Sequence, residues 1–372
     1  MSREDLLALK EANERLAWEE ERRGSAYNHA MPVHLTLETT MKCNMRCVMC
    51  QVYRSPDAIQ RGQVADAVMP LELFEKVAEE AFPTAREMTP TVMGEPLLTP
   101  YLSRIFDLLS EYSLKMNLVT NGMYLTREMS ERLMPHLLKI KVSFDGASKS
   151  TFEGIRRGAE FKRVMNNVRQ FNSVRERLDR DERPILAFQV TLMRKNIEEL
   201  PQIVELASNL GVDQVIGRHV YVFDREFEHQ SLLHHREFAD AFIRSAATKA
   251  KELGVATHFP APFRAEGERE GPHADQPPRE RPRLCNLLWR ELWVSHTGDV
   301  TPCCVPDRPV MGNLRNSSLA QIWNDTPYRE MRGRLATDDP FECCSHCSLV
   351  TQREAGVGND YDERGFFLYG DR

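Results

Sequence analysis

The sequence predicts an α/β protein in which helices cover a parallel sheet, followed by a small cysteine-rich segment. Between residues 33 and 220, apolar strand patterns alternate six times with helical patterns. The chain has 372 residues, enough for one large or two moderate domains. Of its nine cysteines, six follow residue 284, beyond a charged stretch that cannot bury a core.

The alternating region consists of short apolar runs, each followed by a turn or a polar loop. Pro70 precedes its first helix and Gly211 stops its last one, as expected at helix boundaries. We predict strands at residues 33–38, 87–92, 115–120, 140–144, 185–192 and 213–220, and helices at residues 71–82, 101–112, 126–138, 161–178 and 197–210. Such repeats imply a parallel sheet with helices outside it and function at the carboxyl ends of the strands.

The segments outside this region define the expected domains. Residues 4–22 read as an amphipathic helix that packs on the core or, alternatively, binds a partner; residues 238–253 form another helix, and residues 264–283 read as a solvated linker. We therefore expect a helical extension (1–30), the strand–helix core (31–225), a helix with a charged linker (226–283), a metal-binding domain (284–350) and a tail (351–372).

Composition narrows the function classes. The net charge of -6 gives no indication of a polyanion-binding surface, so we expect no nucleic acid partner. We find neither an apolar run of membrane-spanning length nor a secretory signal, and we expect a cytoplasmic protein with reduced thiols. Nine cysteines in that compartment indicate metal binding rather than disulfides.

Three cysteines, Cys43, Cys47 and Cys50, lie within eight residues directly after the first strand. They would need a fourth ligand to complete one tetrahedral zinc site, although a zinc knot or incidental buried cysteines remain alternative interpretations. They are sufficient to hold three corners of a four-iron cluster and to leave one iron open for substrate.

This Cys-x3-Cys-x2-Cys spacing resembles the radical S-adenosylmethionine (SAM) enzymes. The resemblance implies a partial (β/α)6 TIM-like barrel as the core. It also implies that SAM chelates the open iron of a 4Fe–4S cluster. In that family an external one-electron reductant, such as flavodoxin or ferredoxin, supplies the electron that cleaves SAM to a 5′-deoxyadenosyl radical, and this radical abstracts hydrogen from substrate.

Further candidates lie at the ends of the predicted strands. A glycine lets backbone approach a ligand and a carboxylate accepts from an ammonium, so Gly94 and Glu95 are candidates after the second strand. They resemble the end of the family's Gly-Gly-Glu-Pro motif, which binds the SAM amino group, although Met93 replaces its first glycine. Thr120 and Asn121, after the third strand, are weaker pocket candidates because Asn-Gly is also a simple turn.

Three more residues are assigned to SAM by the resemblance. Ser143 at a strand tip would reach a ribose hydroxyl and Arg156 would bind a carboxylate, unless they are a turn serine and a solvated arginine. Met49 occupies the position where the family usually packs an aromatic residue against adenine. For proton transfer the sequence offers only pocket candidates on the last two strands, namely Gln189, Arg218 and His219.

The second cysteine group suits zinc and a four-iron cluster equally well on spacing alone. A turn at Gly298 can bring Cys285 near Cys303, and we predict a helix at residues 319–335, after which Cys344 and Cys347 close the site. The pattern resembles the SPASM domain, in its shortened twitch form with one auxiliary 4Fe–4S cluster, and this resemblance implies the ligands Cys285, Cys303, Cys344 and Cys347. Cys343 is an alternative to Cys344. Cys304 and Cys343 are otherwise structural, or one of them donates a hydrogen atom to a substrate radical.

Two clusters and SAM suggest a radical oxidoreductase of a biosynthetic pathway. The expected substrate is a small sugar, aminocyclitol or nucleoside, which is oxidised, epimerised or decarboxylated while the auxiliary cluster passes electrons. The alternative is maturation of a ribosomal peptide or protein by thioether, crosslink or formylglycine formation. The short N-terminal segment and the incomplete SPASM cysteine pattern favour the small molecule. A non-enzymatic metal scaffold is a third hypothesis.

Overall fold

The computed structural model of this chain describes residues 2–50, 52, 67–222, 225–263, 285–304, 308–335, 337, 339–345 and 347. The helices are α1 (Arg3–Arg23), α2 (Leu71–Ala81), α3 (Leu102–Glu111), α4 (Arg127–Leu133), α5 (Lys149–Ile155), α6 (Phe161–Arg175), α7 (Leu200–Asn209), α8 (Arg236–Leu253), α9 (Leu287–Arg290), α10 (Leu319–Trp323), α11 (Thr326–Leu335) and α12 (Glu342–Ser345). The strands are β1 (His34–Leu37), β2 (Glu87–Thr89), β3 (Lys115–Thr120), β4 (Leu137–Ser143), β5 (Ile185–Leu192), β6 (Gln214–His219), β7 (Ala256–His258), β8 (Glu291–Val294), β9 (Asp299–Thr301) and β10 (Gly312–Asn313). Within this part of the chain, no helix has the length and apolar content needed to cross a membrane. The predicted linker 264–283 and tail 351–372 lie outside the described residues.

The strands form one sheet in the order β10-β9-β8-β1-β2-β3-β4-β5-β6-β7. From β1 to β7 each strand pairs in parallel with the next, which confirms the predicted α/β class. β8 runs parallel to β1, with Thr36 opposite Trp293, and β8, β9 and β10 are antiparallel. The C-terminal cysteine segment therefore extends the barrel sheet along its β1 edge.

Several predicted elements have different bounds in the structure. The helix predicted at 126–138 ends early, and β4 begins at Leu137 rather than at residue 140, because a 3-10 turn containing Pro135 separates them. The helix predicted at 319–335 is broken into α10 and α11 at Asn324. The amide of Asn324 bonds the backbone of Asn28 through Oδ1 (2.9 Å) and Nδ2 (2.8 Å).

Several short elements, α5 and β7 among them, are missing from the sequence-based prediction. α5 has seven residues, too few to show a helical period, and it begins where the Ser148 side chain accepts from the backbone N–H of Thr151. β7 has three residues. The omission of α5 matters most, because Arg156 follows its last residue and the helix supports the cysteine loop.

Polar side chains fill the interior of the barrel. Along β4, Ile140 and Val142 belong to the apolar core outside the sheet, so Lys139, Lys141 and Ser143 face the opposite side. Cross-strand contacts join such inward groups: Asn117 donates to Glu87 (2.8 Å) and Lys139 to Gln214 (2.6 Å), while His34 lies 3.1 Å from Thr89. The barrel therefore offers a polar wall rather than a packed apolar centre.

The N-terminal helix α1 packs against the amino-terminal side of the sheet. Asn13 Nδ2 donates to Met31 O (2.9 Å), and the guanidinium of Arg290 lies 4.0 Å above the Trp18 ring while pairing with Glu21. Lys10 is almost fully buried, and its ammonium donates to the carbonyl oxygens of Phe82 (2.7 Å) and Ala85. The helix is thus anchored by buried polar contacts rather than by apolar packing alone.

Replacing Lys10 by methionine is expected to flatten the pH dependence of stability. Burial, helped by the charge of Arg86, lowers the pKa of the Lys10 ammonium from 10.5 to about 7. Between these values the unfolded chain binds more protons than the native one, so this residue makes native stability rise with pH. From pH 7 to pH 9, urea denaturation should show the parent gaining about 2 kcal/mol more than Lys10→Met. Parallel pH profiles for the two proteins would contradict this role.

Candidate active site

The loop after β1 brings Cys43, Cys47 and Cys50 to one cavity of about 460 Å³ at the carboxyl ends of the strands. The C-terminal end of α5 and the residues just after it hold this loop in place. The backbone N–H of Val48 donates to Ile155 O (3.0 Å), and that of Arg46 donates to Arg157 O (2.8 Å). A polar cysteine loop is thereby fixed at the end of the barrel where β/α folds carry their sites.

The three thiols fit the ligand set of a 4Fe–4S cluster. Burial raises the pKa of the Cys43 thiol to about 11, with smaller contributions from the charges of Glu95, Cys47 and Cys50, so these groups lie close together. Within the described residues, no three Cys, His, Asp or Glu side chains converge tightly enough to hold a single metal ion. Nitrogen donors approach the sulfurs: Asn121 Nδ2 lies 4.0 Å from Cys43 Sγ, and Arg156 Nη1 lies 3.8 Å from Cys47 Sγ. Such donors stabilise thiolates, the form that binds iron.

Gly94 and Glu95 line the same cavity on the loop after β2. The Glu95 carboxylate accepts from Thr120 Oγ1 (2.7 Å), Asn121 N (2.7 Å) and Leu97 N (3.3 Å). Burial raises its pKa to about 7, against the opposing effect of these donors. The backbone of Glu95 also donates to Lys42 O (2.7 Å), which ties this loop to the cysteine loop.

Gly94→Ala is expected to lower both the stability of the protein and its affinity for SAM. The loss should exceed the cost of placing an alanine at a positive φ. Gly94 has a φ of +85°, and an added Cβ would meet Thr40 O at 2.5 Å and the Met41 backbone at 2.9 Å. Because these are backbone atoms beside the cysteine loop, we expect about 2 kcal/mol of destabilisation and at least about tenfold weaker SAM binding. Equilibrium dialysis and urea denaturation would measure both effects.

Gly24→Ala is the matched control for this substitution. Gly24 also has a positive φ, +63°, but an added Cβ would meet no atom within 4 Å. It should cost about 1 kcal/mol and leave SAM affinity unchanged. Equal losses of SAM affinity in Gly94→Ala and Gly24→Ala would show that close packing at Gly94 does not contribute to SAM binding.

Arg156 and Asp145 form a buried ion pair beside the cluster loop. Arg156 Nε donates to Asp145 Oδ2 (2.5 Å), and Asp145 Oδ1 accepts from Thr191 N (2.6 Å). The Asp145 side chain is fully buried and that of Arg156 is 12% exposed. Burial raises the pKa of Asp145, although the charge of Arg156 opposes this shift. The sequence indicated Arg156 but gave no sign that Asp145 orients it.

The remaining residues assigned to SAM also line the cavity. Ser143 lies at the last position of β4, and Met49 reaches both the cavity and a small apolar cluster that includes Ile155 and Met193. Met41, Met45 and Met93 join Met49 in the lining. Methionine adapts its shape to a bound group, so this side of the cavity is apolar and deformable.

The C-terminal segment contributes to the same cavity through Trp293 and Cys304. Its other cysteines lie apart from it: the pKa of Cys344 is raised by burial and then by the charges of Cys343, Cys285 and Cys347. Cys344 also shares a hydrogen bond with Cys343, whereas Cys303 is buried and close enough to Tyr328 to affect its pKa. Cys344 therefore lies near Cys343, Cys285 and Cys347, and either Cys343 or Cys344 is a candidate ligand. The assignment of Cys303 as a ligand stays a prediction.

Sequence reasoning missed several residues of the cavity wall. Lys141, Thr36 and Thr89 line it, and the alternation Lys139, Lys141, Ser143 was the signal that could have found the first. Among the predicted pocket candidates of the last two strands, Gln189 is part of the lining. The described lining contains neither Arg218 nor His219; the His219 ring packs on Phe263 at 4.6 Å instead.

Two family models match the chain. The one described as the radical SAM superfamily matches residues 37–207, and the one described as an iron–sulfur cluster-binding domain, SPASM, matches residues 285–348. The first runs from the last residue of β1 into α7 and includes the cysteine loop and the strand-end residues. The second begins at Cys285 and includes the later cysteines.

Relatives of known description are distant. The antilisterial bacteriocin subtilosin biosynthesis protein AlbA of Bacillus subtilis is 23% identical, over 79% of this chain and 60% of the relative. The AdoMet-dependent heme synthase of Methanosarcina barkeri is 25% identical, over 88% and 90%. The PqqA peptide cyclase of Granulibacter bethesdensis is 23% identical, over 84% and 79%. The chain thus spans less than two thirds of AlbA but most of the other two.

Solved structures share the fold. Streptococcus suis SuiB bound to its precursor peptide SuiA superposes with a TM-score of 0.59 at 13% identity, covering 85% of this chain and 69% of SuiB. The protein anSMEcpe with bound AdoMet and a peptide gives 0.60 at 13% identity, covering 87% of each chain. Likeness at this identity establishes the architecture and leaves the reaction to the residues of the site.

Proposed function

Because this chain belongs to the radical SAM superfamily and carries a SPASM iron–sulfur cluster-binding domain, we propose that it is a radical SAM enzyme that modifies a peptide or protein. Its cofactors are SAM and 4Fe–4S clusters, including an auxiliary cluster. The peptide substrate replaces the small molecule favoured by the sequence alone. The type of modification, the external electron donor and the assignment of each residue belong to the proposal.

The observation that carries the peptide substrate is the recurrence of peptide maturation among the relatives. AlbA is named for bacteriocin biosynthesis and the PqqA cyclase for its peptide, and the SuiB structure contains a precursor peptide. The cavity supports this choice, since its rim combines four methionines with loops from both matched regions. Adaptable apolar side chains suit a substrate segment that must be accepted in an extended form.

When bound, the open 4Fe–4S cluster and SAM supply reductive cleavage and a radical that abstracts hydrogen. We assign the cluster to Cys43, Cys47 and Cys50, on one loop of the cavity. Glu95, held by three donors, would accept from the SAM ammonium, and Arg156, oriented by Asp145, would bind its carboxylate. Ser143 would reach a ribose hydroxyl, and Met49 would pack on the adenine.

A small-molecule substrate is the second candidate. The AdoMet-dependent heme synthase matches nearly the full length of both chains, 88% of this one and 90% of the relative. The cavity of about 460 Å³ is also within the size range of ligand pockets. Under this alternative the residues assigned to SAM and to the cluster stay the same. The two candidates differ in the substrate that enters the cavity.

Anaerobic reconstitution with iron, sulfide, SAM and dithionite tests the proposal. Formation of 5′-deoxyadenosine is expected, and its absence would support a non-enzymatic scaffold. The enzyme should then be incubated with the small peptides encoded beside its gene, and mass spectrometry should show the loss of hydrogens or another defined mass change. Turnover of a neighbouring pathway's small metabolite, with every peptide unchanged, would favour the second candidate.

A further inference from the structure

A second cavity, of about 500 Å³, lies at the amino ends of the strands, and we call it the amino-terminal cavity. Arg3, Lys10 and Glu14 of α1 line one side, since residues at these spacings share one helix face. Glu87 and Lys115, the first residues of β2 and β3, line the other. Because the strands are parallel, the amino-terminal cavity lies at the opposite end of the barrel from the SAM cavity, and its volume is typical of ligand pockets.

The lining of the amino-terminal cavity carries an excess of positive charge. Among the described residues that line it, four are Lys or Arg and two are Glu, namely Arg3, Lys10, Arg86, Lys115, Glu14 and Glu87. The whole chain has a net charge of -6, so this excess runs against the overall composition. A concave surface with one dominant sign of charge attracts ligands of the opposite sign.

The two carboxylates are already engaged by other groups. Glu14 Oε2 lies 3.3 Å from Arg86 Nε. Glu87 is shared with the barrel interior, where it accepts from Asn117 (2.8 Å) and lies 3.8 Å from His34. The positive groups of the cavity therefore meet two carboxylates that also serve other contacts.

The lysines of the cavity bind backbone oxygens. Lys115 Nζ donates to Pro135 O (2.8 Å), and the buried Lys10 ammonium donates to the carbonyl oxygens of Phe82 (2.7 Å) and Ala85. A carbonyl oxygen satisfies an N–H donor but carries no net charge. These contacts hold the two ammonium groups in place and leave their charge in the cavity.

The cations of the cavity lower one another's pKa. The pKa of Lys10 is lowered by burial and then by the charge of Arg86. The pKa of Lys115 is lowered by burial and then by the charge of Arg3, and that of His136 by burial and then by Lys115. Like charges are thus close enough to repel one another, and an anion between them would relieve this repulsion.

We propose that the amino-terminal cavity binds a small phosphate monoester. Such an ester carries close to two negative charges near neutral pH and offers several strong acceptor oxygens, whereas a carboxylate carries one charge. Phosphate recognition uses arginine forks and lysine point charges, which Arg3, Arg86 and Lys115 supply from three different parts of the chain. Ser110 and Ser113 add hydroxyl donors to the same lining.

An organic ester suits the cavity better than a free phosphate or a polyanion. Leu7, Leu109, Leu114 and Leu138 also line it, so a carbon skeleton beside the phosphate would contact apolar side chains. A nucleic acid would need a basic stripe along the surface rather than one enclosed cavity. The proposal goes beyond the proposed function, because no residue assigned to SAM or to a cluster is among the described lining.

The test compares phosphate monoesters with matched neutral compounds. Ribose 5-phosphate and AMP are the esters, and ribose and adenosine lack the phosphate. Calorimetry on the anaerobically reconstituted protein, with the first cavity saturated by SAM, should show at least one ester binding at least about tenfold more tightly than its neutral partner and than inorganic phosphate. Added salt should weaken this binding, and excess SAM should not displace the ester.

Arg3→Gln and Lys115→Gln remove cations whose side chains are exposed, so both variants should fold. Each should weaken ester binding by at least about threefold and the double variant by at least about tenfold. Arg163→Gln is the matched control, because Arg163 is also exposed and is absent from the described lining, and it should bind the ester as the parent does. SAM affinity should stay within about twofold of the parent in every variant.

Iron content and the unfolding midpoint show that each variant has folded. The proposal is overturned if neither ester binds better than its neutral partner, if inorganic phosphate binds as tightly as the esters, or if SAM displaces them. Unchanged ester affinity in the Arg3→Gln/Lys115→Gln double variant would overturn it as well. None of these outcomes depends on turnover of a peptide, so they are separable from failure of the proposed function.

Discussion

Cys47→Ala is expected to remove the SAM-cleaving cluster and abolish formation of 5′-deoxyadenosine. Cys47 is one of three thiols on a single loop, and two thiolates cannot hold a cluster that leaves one iron open for SAM. The same variant should bind about four irons fewer than the parent. Iron and sulfide assays with chromatography of the nucleoside product measure both effects.

Cys344→Ala is the reciprocal control for this loss. Cys344 lies among the C-terminal cysteines, close to Cys343, Cys285 and Cys347 and away from the cavity lining. It should lose about the same amount of iron as Cys47→Ala but keep SAM cleavage. If Cys47→Ala retained normal cleavage of SAM, the assignment of the first cysteine loop would be wrong.

Arg156→Met is expected to lower the free energy of unfolding by about 3–5 kcal/mol. The substitution leaves the Asp145 carboxylate fully buried without the cation that lies 2.5 Å from it, and the Thr191 N–H is its remaining donor among the described residues. It also removes the group assigned to the SAM carboxylate, so SAM should bind at least about tenfold more weakly. Urea denaturation and equilibrium dialysis test the two consequences separately.

A double-mutant cycle separates stability from binding at this pair. Asp145→Asn combined with Arg156→Met removes the stranded charge and should recover much of the lost stability while SAM binding stays weak. Arg163→Met is the control, because its partner Glu160 is 66% exposed and such surface pairs contribute about 0.5 kcal/mol or less. A double variant as unstable as Arg156→Met alone would argue against a stranded carboxylate as the cause.

The sequence predicted most of what depends on local order in the chain. The Cys43–Cys50 spacing, the Gly94-Glu95 turn and the strand at 185–192 could be identified from neighbouring residues alone. Prediction from the sequence failed where long-range contacts determine the structure. The helix predicted at 319–335 breaks because Asn324 bonds Asn28, almost 300 positions earlier. Short elements such as α5 were missed because seven residues show too little periodicity.

The small-molecule substrate predicted from the sequence shows a different limit of sequence-based prediction. The short N-terminal segment and the incomplete cysteine pattern favoured a small molecule, whereas AlbA is named for bacteriocin biosynthesis and the PqqA cyclase for its peptide. The spacing of Cys43, Cys47 and Cys50 indicates a cluster-binding loop and carries little information about what enters the cavity. That choice depends on the inner wall, where Lys141, Thr36 and Trp293 come from three different strands.

By itself, the sequence determined the cluster loop, the α/β order of the core and the presence of a second cysteine group, because each is written in residues that are neighbours in the chain. Only the tertiary structure decided that β8 pairs with β1 and that Trp293 and Cys304 enter the first cavity. It alone decided that Asp145 orients Arg156 and that Lys141 lies on the inner wall. The physical reason is that the strand order of the sheet sets which distant side chains share one buried space. Burial then shifts the pKa of an ionisable group in that space, as it does for Asp145.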